Sequence, residues 1–210
     1  MDLNRECVGA GGRSTGGGVR GGWTRRLAAR VGVVLGLAMS AAGASAQCTT
    51  SGWVNGPSIP PGGFGTNGVV RSVVSWDPDG AGPLPPVLVV AGAFTQVGGS
   101  LAVNNIAIWD GTTWSSPSSG LTGSSPIVYS LAVFNNVLYA TGQFTSAGGV
   151  GVNNIARWNG SSWSALSTGL TSAGSANGRA MAVYKGQLFV TGKFGTAGGV
   201  ASAGIATWKG

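Results

Sequence analysis

The sequence predicts an all-β chain assembled from tandem four-stranded units of about 50 residues. Three observations carry that prediction. First, Gly92, Gly142 and Gly192 recur at equal spacing inside the related segments Val87–Phe94, Val137–Phe144 and Gln187–Phe194. Second, Asn104–Trp109 returns as Asn153–Trp158, and Ala203–Trp208 keeps the same frame. Third, the composition is 43% hydrophobic but only 8% charged, with 40 glycines. That balance suits many short strands and tight turns, and it is the opposite of a disordered chain's low hydrophobicity and high charge.

The second unit shows the expected elements most clearly. Ser130–Phe134 and Val137–Thr141 are apolar runs joined by Asn135-Asn136, a pair that tolerates positive φ and so reads as a hairpin turn. Gly142 and Gly148-Gly149 interrupt the pattern before Ile155–Trp158. Asn159-Gly160 is the next turn, and Trp163–Leu166 the last strand. The third unit replaces the first turn by Lys185-Gly186. The first unit swells it to Asp77–Pro86, whose prolines forbid ladder pairing, so a protruding loop is expected. Units therefore run over about 69–121, 126–170 and 179–210. Four antiparallel strands with no helical period between units describe a propeller blade, and the recurrent Trp and Phe suit wedges between blades.

The ends of the repeat array suggest how it is closed. Ser51-Gly52-Trp53 overlays Ser161-Ser162-Trp163, so residues 50–56 are expected to form an outer strand that completes a blade. Rings normally hold about 4–8 blades, so three units predict a partial propeller completed in a longer parent chain, with a compact three-unit body or an oligomeric ring as the alternatives. Open terminal faces would otherwise need polar caps.

Gly142–Gly149, Asn153–Trp158 and Trp163–Leu166 together resemble kelch-like repeats of the galactose-oxidase central-domain type, as found in predicted secreted bacterial proteins. The resemblance spans about Gly52 to Gly210, nearly the whole mature chain. It implies a propeller without implying an activity, because such propellers serve as enzymes, sugar binders and protein scaffolds alike. The double glycine of standard kelch repeats is replaced here by Ala91-Gly92, Thr141-Gly142 and Thr191-Gly192.

Residues 1–46 read as a signal peptide with an atypical Gly-rich extension. Arg20–Arg26 is basic, Val31–Ala42 is a short apolar run, and Ala44-Ser45-Ala46 is a cleavage pattern before Gln47. The Gly-rich stretch Met1–Gly18 points to a translation start nearer Val19. The expected location is extracytoplasmic: secreted, periplasmic or on the cell surface. The apolar run is too short for a comfortable membrane span, so none is expected after cleavage. The leader also carries more than half of the formal +7 charge. The remaining cations, Arg71, Arg157, Arg179, Lys185, Lys193 and Lys209, form no cluster along the sequence, which disfavours nucleic-acid binding.

Chemistry-bearing residues are scarce. There is no histidine, which excludes imidazole triads, most zinc and copper sites, and a copper oxidase. Asp110 occupies a turn position where the other units have Asn159 and Lys209, which marks a turn residue. Asp77-Pro78-Asp79-Gly80 faintly resembles a calcium loop but lacks further ligands, and reads as a solvated turn. Cys48 has no base beside it and suits a bridge to a partner elsewhere. Asn104-Asn105 and Asn153-Asn154 either meet a ligand at the loops or satisfy local backbone groups. No catalytic, cofactor-binding or metal-ligating residue is assigned, and no cofactor is expected. The reading is a non-catalytic propeller that acts as a scaffold or as a recognition module for a protein or glycan at its loops. The rival reading is a fragment of a secreted polysaccharide hydrolase or lyase whose catalytic residues lie outside this chain.

Overall fold

A computed structural model describes residues 65–210. The expected signal peptide, Cys48 and the expected outer strand at 50–56 lie outside the described residues. Within them the protein is all-β, in several small antiparallel sheets, with no helix. No helix among the described residues is long and apolar enough to cross a membrane.

The first unit contains β1 (Val69–Trp76), β2 (Val87–Ala93), a small hairpin of β3 (Gln96–Val97) and β4 (Leu101–Ala102), then β5 (Ile106–Trp109) and β6 (Trp114–Ser115). The second comprises β7 (Leu121–Thr122), β8 (Ile127–Phe134), β9 (Val137–Gln143), β10 (Ser146–Ala147), β11 (Val150–Gly151), β12 (Ile155–Trp158) and β13 (Trp163–Ala165). The third holds β14 (Leu170–Thr171), β15 (Asn177–Tyr184), β16 (Gln187–Lys193), β17 (Thr196–Ala197), β18 (Val200–Ala201) and β19 (Ile205–Trp208). The main sheets have the orders β1-β2-β5-β6, β8-β9-β12-β13 and β15-β16-β19.

The hairpin turns are the ones the sequence marks. Asn135 and Asn136 both have positive φ, as do Lys185 and Gly186, which matches the twist of the strands they join. The recurring Gly92, Gly142 and Gly192 have a steric reason. A Cβ at each would strike the main chain of the adjoining first strand, at Val69, Ile127 and Asn177 respectively.

Two features differ from the sequence expectation. The glycine-rich break after Gly142 is not a plain loop: it contains the hairpin β10-β11, to which β7 adds a third strand. Leu121-Thr122, which trails the first unit in sequence, is thus laddered into the second, and Leu170-Thr171 likewise pairs with β17 of the third. The Asp77–Pro86 loop, expected to protrude, does so only in its second half. Its first half is half-buried and packs on the β8–β9 turn of the next unit: Asn136 Nδ2 lies 3.5 Å from the Pro78 carbonyl. Trp76 Nε1 donates to the Asn136 carbonyl at 3.1 Å on the same turn.

The core lies between successive main sheets. Val89, Ala91 and Ile106 of the first meet Val128, Leu131, Leu138 and Ala140 of the second. Phe134, Tyr139 and Ile155 on the second sheet's other face meet Leu188 and Val190 of the third. Alternate residues of one strand therefore serve two different interfaces, as the two-residue period of a strand requires. Trp163 Nε1 donates to the Pro117 carbonyl of the preceding unit at 2.9 Å. Trp158 and Trp163 pair tilted at 5.4 Å, and Trp109 and Trp114 repeat the arrangement at 5.2 Å. The third main sheet has no fourth strand among the described residues. There, Leu166, Gly198 and Trp208 line a cavity of about 250 Å³.

Candidate functional site

Each first strand of a main sheet carries a register shift, at Val70/Ser72, Val128/Ser130 and Gly178/Ala180. The residues in those bulges are Arg71, Tyr129 and Arg179. A bulge leaves its extra residue unpaired and redirects the side chain away from the ladder. Because the bulges recur in register, the three redirected side chains converge. The Arg71 guanidinium carbon lies 5.3 Å from the Tyr129 ring centroid. That of Arg179 lies 4.2 Å from the same centroid.

Sequence reasoning treats these arginines as scattered, and the structure corrects this by bringing two of the six to one ring. The physical reason is the stacking of equivalent strands, which makes neighbours of residues a whole unit apart in sequence. Each cation–π contact adds roughly 0.5–1 kcal/mol at an exposed site. Arg179 is further held by its Nε–H, which donates to Asn177 Oδ1 at 2.9 Å. Arg71 and Arg179 are exposed and Tyr129 is half-buried, so the donors face solvent. A guanidinium offers five N–H donors in a planar fork that fits a carboxylate or sulfate in a bidentate manner.

The other polar positions flagged in the sequence serve the fold. Asn105 has φ 64° and Asn154 has the same value. Asn105 Nδ2 donates to the Leu121 carbonyl at 2.8 Å, and Asn154 Nδ2 to that of Leu170 at 3.0 Å. Asn104 and Asn153 donate to the carbonyls of Ser119 and Thr168. The Asn pairs thus tie the end of one unit to its own third strand. In the third unit Gly204 takes the left-handed position at φ 79°.

Asp110 Oδ1 accepts the amides of Thr112 and Thr113, each at 2.7 Å. With the Thr113 amide foremost, then the Thr112 hydroxyl and amide, these bonds hold its carboxyl well below the usual carboxylate range. Asn159 accepts the amides of Ser161 and Ser162 in the same way. Asp77 Oδ1 accepts the amides of Asp79 and Gly80, and Asp79 Oδ2 that of Leu84. These carboxylates act on their own loops, and none of these bonds runs to an arginine.

No family model and no curated protein matches the chain.

Proposed function

We propose that this chain is a non-catalytic, kelch-like β-propeller module, exported from the cytoplasm, that recognises an acidic glycan through Arg71, Tyr129 and Arg179. The single observation carrying the recognition site is the convergence of two exposed bulge arginines on the half-buried ring of the third bulge residue, Tyr129. Two arginines that no Asp of the described residues engages leave their donor forks available for a uronate carboxylate or sulfate ester. The propeller reading is supported by antiparallel main sheets, two of four strands and one of three, whose first strands stack with β8 between β1 and β15. Export is supported by the signal-like pattern of residues 1–46.

The test is binding of the purified chain to immobilised polygalacturonate, with neutral dextran as the control. Binding to the acidic polymer should weaken at least about tenfold in Arg71→Gln and in Arg179→Gln, since a charged hydrogen bond contributes about 1.5–3 kcal/mol. It should also fall as salt rises. Equal binding to dextran, or no loss in either variant, would refute the site.

A further inference from the structure

The two ends of the sheet stack expose the two halves of one interface. Trp76 is 2% exposed and Phe134 4%, because each is covered by the following sheet, but the equivalent Tyr184 is 60% exposed. Ile155 is 3% exposed and its counterpart Ile205 is 56%. On the opposite face of the stack, Val128 and Leu131 are 0% and 5% exposed against the preceding sheet, whereas Val70 and Val73 are 44% and 55%. These equivalences follow from the shared strand registers. The residues at both ends have stayed apolar where an outer surface would normally turn polar.

From this we infer that the third sheet's outer face docks on the first sheet of a second copy of this chain, head to tail. The occupant is fixed by continuity with the interface inside the molecule, which joins the same two surfaces twice. Tyr184 and Ile205 of one copy would take the places of Phe134 and Ile155, and Val70 and Val73 of the other those of Val128 and Leu131. Under the propeller reading, two sets of three sheets fall within the usual range of about 4–8. One recurring bond is lacking at this docking. Inside the molecule the Leu131 amide donates to Ser72 Oγ at 2.9 Å and the Met181 amide to Ser130 Oγ at 3.1 Å. The equivalent acceptor for the partner copy's Val73 amide is Ala180, which has no hydroxyl.

A head-to-tail contact is heterologous: its two surfaces differ, so it can be tested by complementation. Sedimentation velocity of the purified chain should show self-association that both Ile205→Asp and Val73→Asp abolish, one on each surface. Both positions are exposed, and an unchanged circular dichroism spectrum verifies that each variant folds. Mixed one to one, the two variants should associate, because each retains the surface the other has lost. Ala180→Ser should tighten self-association by about two- to tenfold, the worth of one added hydrogen bond. A wild-type chain that stays monomeric, single variants that still associate, or a mixture that does not, would each overturn the inference.

Discussion

Asn105 performs two tasks at one position. Its backbone is left-handed, and its buried amide answers the Leu121 carbonyl. Asn105→Ala should therefore cost about 2–5 kcal/mol, combining a strained φ with an orphaned acceptor. Asn105→Gly, which relieves the strain and loses only the amide, should cost clearly less. Urea unfolding of both variants measures the difference, and Gly204 in the third unit provides the natural precedent. Asp110 makes a different prediction. Its carboxyl is lowered by turn amides and hydroxyls, so the native state favours the ionised form. That stabilisation is complete above the unfolded carboxylate value of about 3.9 and is lost as pH falls through the lower native value. Asp110→Asn should remove this acid dependence and lower the melting midpoint at pH 7, because the charge-assisted part of the bonds is lost while neutral bonds of the kind Asn159 makes remain. Melting curves between pH 2 and 7 check both statements.

Among elements, the short hairpin and the outer strand depend on each other. The Trp163 ring lies where a Cβ on Gly148 would come within 2.7 Å of its Cδ1, and Gly148 has φ 57°. Gly148→Ala should destabilise by about 1–3 kcal/mol, from overpacking and left-handed strain together. Trp163→Phe keeps the aromatic contact but leaves the Pro117 carbonyl without its donor, and differential scanning calorimetry should rank it below the wild type. Legibility divides along the same lines. The hairpins were readable because Asn135-Asn136 and Asn159-Gly160 advertise positive φ locally, and the period was readable because Gly92, Gly142 and Gly192 each answer the same close approach. The Gly-Leu-Thr segments recur as plainly, yet their strand role was hidden, since two-residue ladders with a distant partner leave no periodic trace. The Arg71–Tyr129–Arg179 site was hidden for a related reason. A bulge is a feature of pairing, and its occupant is arginine in the first and third units but tyrosine in the second.

At the scale of the whole molecule, stability should peak in the middle of the stack. The second main sheet is packed on both faces, whereas among the described residues the first and the third each have one open face and the third has three strands. In the Ile205→Asp variant, which keeps the chain monomeric, amides in β16 and β19 should exchange with deuterium sooner than those in β9 and β12, through local opening of the terminal sheet. Native-state hydrogen exchange followed by mass spectrometry reads this directly. Equal protection in both sheets would mean the stack unfolds as one cooperative unit. The same gradient explains why units so alike in sequence need not be alike in behaviour: a unit's environment, more than its residues, decides how much apolar area leaves water.

The Asn159-Gly160 turn also bears on how the protein ages. An asparagine followed by glycine is the sequence most prone to cyclise, the Gly160 nitrogen attacking the side-chain carbonyl carbon and ammonia leaving. Hydrolysis of the ring then gives aspartate or isoaspartate. Asp110 is a ready picture of the aspartate product, since its turn carries a carboxylate with the same amide bonds in place. Old preparations should therefore accumulate a more acidic species that keeps its fold, while the isoaspartate form, with an extra carbon in the main chain, would leave that turn unable to close.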